Sequence, residues 1–279
     1  HGTPLMIVDC DEVRRSVRAL ARALPGVRLY YALKAFPQPE IVRVLAEEGT
    51  RFEVATTGEL ALLAENGVDV RQCLHTHPVK RPKDIETALE YGVTRFVFDH
   101  AEEVDKLAPY ADECEVLLRI GYRADNAMVE LANKFGCAPE EVGELLELAR
   151  KKGVKVCGLT FHVGSQSLDA MGHVHAISQA CELLKAYPNL RILDIGGGFP
   201  VSYDQTVPDI DAYCSPIRAA LAKVPAHVEC IAEPGRYLVA SAVTNVASVM
   251  GHATREGTRW YYIDDGIYGS FSEIGRAHV

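Results

Sequence analysis
The sequence contains no apolar run approaching the ~20 residues that a membrane-spanning helix requires. It has no cluster of lysine or arginine either: 29 basic residues are outweighed by 38 acidic ones, for a formal charge of −9. That balance argues against nucleic acid or an anionic membrane as the main partner. Eight cysteines are present, yet none forms a C-x-x-C pair. Three of them, Cys73, Cys157 and Cys230, lie in apolar, strand-like runs, where single buried thiols fit better than a disulfide framework or a zinc site. No secretory leader is visible, so a reducing, cytoplasmic setting is expected. What is present is an ordinary globular composition, 48% hydrophobic and 24% charged over 279 residues. A chain of that length buries a large core without covalent staples or a structural metal. At ~150 residues per domain it suggests two domains, although an α/β barrel often reaches ~250 as one.

Short apolar or β-branched runs recur at regular intervals. They predict strands at 28–35, 51–56, 72–77, 95–99, 115–120, 156–163, 191–195 and 227–232. Helices are predicted between them, at 39–48, 58–66, 82–91, 101–110, 139–152, 171–186 and 210–223. Within 140–151 the period is plain: Val142, Leu145, Leu146 and Ala149 share one face, with acids and lysines opposite. Eight β units alternating with helices point to a closed parallel (β/α)8 barrel, because each parallel crossover needs its own helix. A doubly wound open sheet is the alternative, but it rarely runs to eight such units. The expected fold class is therefore α/β, with the barrel over residues 1–236. A strand-like run at 2–8 leads into a helix over 11–24. After Gly235 the pattern changes: 237–251 is rich in Val, Ala, Ser and Thr without helical period, and 259–264 is aromatic and β-branched. Both read as strands opening an all-β domain over 237–272. Residues 273–279 are one translation of a common sequencing-adapter sequence and are expected to be non-native.

Barrel chemistry sits at the C-terminal ends of the strands. Read in order, those ends carry Lys34, Glu53, His75 with His77, Asp99 with His100, Arg119, His162, Gly196–Gly197–Gly198, and Glu233 with Gly235 and Arg236. Lys34 closes an apolar run. It is either a snorkelling surface residue or an amine near the low-dielectric centre, where burial depresses its pKa and makes it a Schiff-base candidate. The three glycines are either a flexible turn or a place where backbone N–H groups converge on an anion. Glu233-Pro234-Gly235-Arg236 adds a second close-approach glycine with a cation beside it, and a phosphate held between these two strand ends is the usual barrel arrangement. His162 is either a core histidine or a flat ring stacked on a flat cofactor, with Ser165 free to meet a phosphate. His75-Thr76-His77 resembles paired metal ligands, but Lys34 and Arg119 would be costly beside a dication, so no metal is expected. Lysine, phosphate cradle, stacking ring and acid together suit pyridoxal phosphate, with Glu233 placed at its ring nitrogen.

The motifs Tyr31-Ala32-Leu33-Lys34-Ala35, Phe161-His162-Val163-Gly164-Ser165, Asp194-Ile195-Gly196-Gly197-Gly198-Phe199-Pro200 and Glu233-Pro234-Gly235-Arg236 resemble the fold-type III pyridoxal-phosphate decarboxylases. The closest likeness is to their ornithine/lysine decarboxylase group. Lys134-Phe135-Gly136 and Asp265-Gly266-Ile267-Tyr268-Gly269-Ser270-Phe271 also look like that group, so the resemblance covers residues 2–272. It implies an alanine-racemase-like barrel followed by a β domain, with two active sites at a homodimer interface. It implies that Lys34 is the Schiff-base lysine, His162 the stacking histidine and Glu233 the ring-nitrogen partner. By the same likeness Ser165, Gly196, Gly197, Gly198, Gly235 and Arg236 form the phosphate cradle, with Tyr268 nearby and Arg119 at the phenolic oxygen. Glu53 stands where many members carry Asp, and His77-Pro78-Val79-Lys80 where many have Asn-Pro-Cys-Lys. The family's acid for the distal substrate amine, and its cross-dimer cysteine and aspartate, would fall after Phe271. The implied reaction is α-decarboxylation of ornithine or lysine to a diamine in polyamine biosynthesis. The alternatives are a diaminopimelate decarboxylase, a non-catalytic regulatory relative and a single-barrel cofactor carrier. Gly198-Phe199-Pro200 favours the ornithine/lysine group over the first. Retention of Lys34, His162 and Glu233 argues against the second.

Overall fold
The structure, a computed structural model, describes residues 2–122, 127–129, 134–203 and 206–270. Phe271 and the suspect tail at 273–279 lie outside the described residues. In chain order the strands are β1 (Leu5–Val8), β2 (Arg28–Ala32), β3 (Arg51–Val54), β4 (Leu74–His75), β5 (Arg95–Phe98), β6 (Glu115–Ile120), β7 (Ala127–Val129), β8 (Lys155–Phe161), β9 (Ser165–Ser167), β10 (Ile192–Asp194), β11 (Glu229–Ala232), β12 (Val243–Val246), β13 (Val249–Arg255) and β14 (Thr258–Ile263). The α-helices are α1 (Cys10–Ala23), α2 (Pro39–Glu47), α3 (Thr57–Glu65), α4 (Pro82–Glu90), α5 (Ala101–Leu107), α6 (Val142–Lys151), α7 (Met171–Ala186), α8 (Ile210–Leu221) and α9 (Arg236–Val239).

Local chemistry explains where the helices begin. Asp9 caps α1 by accepting the N–H groups of Asp11 and Glu12, and Thr56 with Glu59 forms a reciprocal capping box on α3. Proline opens α2 and α4, where its missing N–H costs nothing. Eight parallel strands close into a barrel in the order β10-β11-β2-β3-β4-β5-β6-β8. The closing seam pairs Ile231 with Arg28 and Ala232 with Leu29, which rules out the open-sheet alternative.

Side chains alternate across each strand, so the barrel has two apolar layers. Outward residues such as Tyr31, Phe52, Val54, Phe96, Phe98, Leu118 and Leu193 pack beneath the helices. Inward, Tyr30, Leu74, Val97, Leu117, Cys157, Ile192 and Ile231 fill the centre, one from each of seven strands. This inner layer is the floor on which the site stands. Cys73 and Cys157 are buried, Cys230 is half-buried, and all eight cysteines are unpaired.

After the barrel the structure differs from the all-strand reading of 237–251. Arg236–Val239 is helical and a 3-10 turn follows at Ala240–Ala242. Leu238, Val239 and Ala242 are spaced to bury together, and the segment packs on α1. The strand begins only at Val243, and its partner is β1, antiparallel, with Leu5 opposite Val246. β13 and β14 form a hairpin around Glu256-Gly257, both at positive φ (49° and 79°), as a two-residue turn matched to strand twist requires. Among the described residues no helix is long and apolar enough to cross a membrane.

Candidate active site
One rung above the inner apolar layer, the same alternation turns a ring of polar side chains into the barrel mouth. Two residues beyond Leu74, Val97, Leu117, Ile192 and Ile231 stand Thr76, Asp99, Arg119, Asp194 and Glu233. Lys34 sits in the 3-10 turn Leu33–Ala35 that ends β2. Its side chain is 56% exposed, because the cup is open, yet the ammonium is ringed by protein charge and lies 3.7 Å from Glu53 Oε2. Glu53, on β3, is buried; its Oε1 accepts the Thr76 hydroxyl, while Oε2 has no hydrogen bond among the described residues. The expectation of a depressed Lys34 pKa is therefore corrected. The Glu53 charge raises it, burial opposes, and Glu233 adds to the rise. An amine facing two carboxylates holds its proton, whatever the apolar floor beneath it.

Across the mouth, Asp194 is fully buried and accepts the Thr160 hydroxyl and the Gly196 N–H, each at 2.9 Å. Its carboxyl and that of Glu233, at the end of the neighbouring β11, influence each other's proton affinity. Burial lifts the Asp194 carboxyl to about 6, and burial with the Asp194 charge lifts Glu233 well above the carboxylate range. Two buried acids in contact hold a proton between them. Glu233 Oε1 has no partner among the described residues. The Arg119 guanidinium, lowered by burial but supported by Glu233 and Asp99, lies 5.3 Å from the Phe135 ring centre.

His162 Nδ1 accepts the Gly164 N–H at 2.9 Å, which leaves the ring proton on Nε2. Burial, then Arg119 and Lys34, hold the ring well below the usual histidine range, so it is neutral. Gly196 and Gly198 adopt φ of 66° and 93°. A Cβ on Gly196, Gly197 or Gly198 would come within 2.3, 2.5 and 2.4 Å of the carbonyls of Phe161, Glu233 and Gly164. The glycine run is thus a close approach of three strand ends rather than a flexible turn. Gly196 N–H turns inward to Asp194, while the N–H groups of Gly197, Gly198 and Gly235 have no partner among the described residues.

Lys34, Glu53, Arg119, His162, Gly196–Gly198, Glu233 and Gly235 therefore converge. Ser165, half-buried at the start of β9, lies on the segment following His162. Arg236 opens α9 at the cradle, but its guanidinium is exposed and bonds the Tyr203 hydroxyl at 3.0 Å. Tyr268 is fully exposed in the turn after β14, and no hydrogen bond or ring contact among the described residues joins it to the mouth. His75 and His77 do not converge: His75 faces outward against Phe96, and His77 meets Phe135 edge-on at 5.6 Å. The His77–Lys80 loop is fixed by Lys80, whose ammonium donates to the carbonyls of His77, Pro78 and Val97 and pairs with Glu103 at 2.8 Å. Reading strand ends alone missed Thr76, Thr160 and the pairing role of Asp194. It also missed His173, which bonds the Gly197 carbonyl at 3.0 Å and so holds the glycine run from behind. Only the register of the closed barrel, with Leu74, Leu117, Ile192 and Ile231 facing inward, marks the first three.

Residues 10–240 match the family model described as the pyridoxal binding domain of pyridoxal-dependent decarboxylases. A lysine/ornithine decarboxylase of Selenomonas ruminantium is 38% identical over 281 residues, covering 99% of this chain and 72% of that protein. The solved structure of a Vibrio vulnificus lysine/ornithine decarboxylase complexed with putrescine superposes with a TM-score of 0.91 at 48% identity, over 97% of this chain and 74% of that one. Antizyme inhibitor 2 of Xenopus laevis is 32% identical over 280 residues, covering 94% of this chain and 61% of that protein.

Proposed function
Because the chain belongs to the pyridoxal-dependent decarboxylases, and residues 10–240 are their pyridoxal binding domain, its cofactor is pyridoxal phosphate, and we propose that the protein removes the α-carboxylate of ornithine or lysine to leave a diamine. The residues present fit that cofactor. An unpartnered, buried Glu233 Oε1 suits a ring nitrogen, and the free N–H groups of Gly197, Gly198 and Gly235 suit a phosphate. Among the described residues Lys34 is the amine that faces Glu53 and Glu233 at the mouth, where an aldehyde could reach it, and the neutral His162 ring offers a flat face.

When bound, the cofactor supplies an aldehyde for the amino group and a ring that takes up the electron pair left by departing CO₂. The chain does the rest. The Asp194–Glu233 pair keeps a proton where a ring nitrogen would need it, and the barrel floor excludes water from that contact. Glu53, 3.7 Å away, favours the protonated form of the free Lys34 amine. Arg119 balances the acids and is free of ion pairs within 4 Å among the described residues, so it remains open to an anionic oxygen. The convergence of Lys34 and Glu233 on one mouth is the observation that carries the reading.

Ornithine and lysine are favoured as substrates by the named relatives and by Gly198-Phe199-Pro200. A homodimer, a role in polyamine supply and a cytoplasmic setting complete the proposal, the last supported by eight unpaired thiols. The likeness to an antizyme inhibitor favours one rival, a regulatory protein that binds a partner instead of turning over substrate. The test is CO₂ release from ornithine, lysine and diaminopimelate by the whole protein with pyridoxal phosphate. Release from ornithine or lysine is expected. Release from diaminopimelate alone would move the substrate assignment, and release from none would favour the regulatory rival.

A further inference from the structure
The Glu53 carboxylate has two unlike neighbours. Oε1 accepts the Thr76 hydroxyl, whereas Oε2 has no hydrogen bond among the described residues and lies 3.7 Å from Lys34 Nζ. Both side chains are buried, Glu53 at 1% exposure and Thr76 at 7%. Register brings them together: the Thr76 N–H donates to the Val54 carbonyl at 3.0 Å, carrying the β3–β4 ladder one residue past His75. Thr76 is then the next inward side chain above Leu74, beside the inward Glu53. We propose that Thr76 is a positioning residue whose hydroxyl fixes the Glu53 carboxylate, so that its free oxygen faces Lys34 and sets the pH at which that amine becomes nucleophilic.

A glutamate carboxylate turns about three side-chain torsions, and a single charge-assisted hydrogen bond is enough to select one orientation. Orientation matters because Coulomb attraction falls with distance. Letting the charge drift from 3.7 Å to about 6 Å would forfeit roughly two-fifths of it. The other groups facing Lys34 act from fixed places. Glu233 at the end of β11 and Glu59 on α3 also favour the ammonium, and Arg119 on β6 opposes it. His77 and His162 are both pushed toward the neutral form by burial, with Lys34 adding to the effect. Glu53 is the largest of these influences, and its other oxygen accepts a hydroxyl carried just past the end of the neighbouring strand.

The inference rests on reading Lys34 as the amine that anchors the cofactor, and the experiment separates the two. In cofactor-free protein, the rate at which trinitrobenzenesulfonate modifies Lys34 is followed by peptide mass spectrometry from about pH 6 to about pH 11. Glu53→Gln is expected to lower the midpoint by about one pH unit, a roughly tenfold faster reaction at a fixed pH below it. Thr76→Val should move it the same way by about half as much, roughly threefold in rate, and Thr76→Ser should keep the wild-type midpoint. Thr76→Ala gives the same comparison if valine prevents folding. A wild-type midpoint in both hydroxyl-less variants, or a Thr76→Ser midpoint as low as theirs, would overturn the positioning role. Attachment of pyridoxal phosphate to Lys34, mapped after borohydride reduction, is measured separately. Its absence would remove the cofactor reading while leaving the Thr76–Glu53–Lys34 relation to stand or fall on the pH profiles.

Discussion

Replacing Glu103 by glutamine removes one charge from a place where the other cannot reach water. Lys80 and Glu103 are 1% and 0% exposed in their side chains and 2.8 Å apart. Glutamine keeps an oxygen for the Lys80 backbone N–H, which now bonds Glu103 Oε1 at 3.0 Å. It leaves the Lys80 ammonium with that uncharged oxygen and the carbonyls of His77, Pro78 and Val97, and it deprives Lys106, the second cation paired with Glu103, of its counter-charge. Breaking a buried pair from one side costs about 3–5 kcal/mol, and the surviving carbonyls place this case near 3. For a chain of this size that lowers Tm by roughly 6–12 °C. The pH dependence has a definite sign. Burial already holds Lys80 below the ordinary lysine range, with Glu103 the main force opposing it. A lysine whose folded value is depressed costs stability while protonated. That cost is complete below the folded value and disappears above the unfolded value of about 10.4. Without Glu103 the folded value falls further, so the penalty should be full near neutrality and shrink as pH rises toward 10. Urea unfolding of both proteins at about pH 7 and about pH 9.5 measures it. A penalty under about 1 kcal/mol at neutrality, or one that does not shrink with pH, would refute the buried-charge argument.

Lys34→Ala should abolish the visible absorption band given by added pyridoxal phosphate, together with the borohydride-trapped adduct at the site; a retained adduct there would show that another amine anchors the cofactor. Glu233→Gln should lower turnover about a hundredfold or more while the cofactor stays bound, since an amide cannot hold a proton at a ring nitrogen and the glycine cradle is untouched; wild-type turnover would mean that Glu233 does not face the ring. Residues 1–279 expressed alone should fold at the barrel and bind pyridoxal phosphate yet release no CO₂ from ornithine, lysine or diaminopimelate, because the chain spans only 72% of the Selenomonas ruminantium relative. Turnover like that of the whole protein would show a complete site within these residues.

Much of the barrel was legible because each unit repeats the same grammar, an apolar run followed by an amphipathic helix. The strand at Glu115–Ile120 and the helix at Met171–Ala186 match their predicted bounds. What stayed hidden was which way strand residues face. In a parallel sheet both faces are apolar, so 72–77 offers no alternation to read, and His75 drew attention that belonged to Thr76. The first turn after Gly235 misled for a related reason. Leu238, Val239 and Ala242 are too few to show a helical period, and burial against α1 decides their conformation. The Lys34 proton affinity was beyond reach, since it depends on Glu53 and Glu233, which meet the lysine only once the barrel has closed. The acid pair lay open as a motif, Asp194 and Glu233 each ending a strand, but their contact across β10 and β11 belongs to tertiary structure.

The pairing of β1 with β12 sets a timetable for synthesis. Leu5 and Val246 are opposite each other although 241 positions separate them (246 − 5). At ~5–20 residues per second, a ribosome that has just made β1 needs roughly 12 to 48 s before its partner strand exists. Throughout that interval β1 is an unpaired edge, with Met6 and Ile7 among its residues, open to any other strand it meets. The barrel seam between β11 and β2 waits nearly as long. A slow-translating or chaperone-poor host should therefore lose more of this protein to aggregation than its folded-state contacts would suggest. Transposing the Leu5–Val8 segment to follow Val246 through a short turn would shorten the wait to the length of a hairpin.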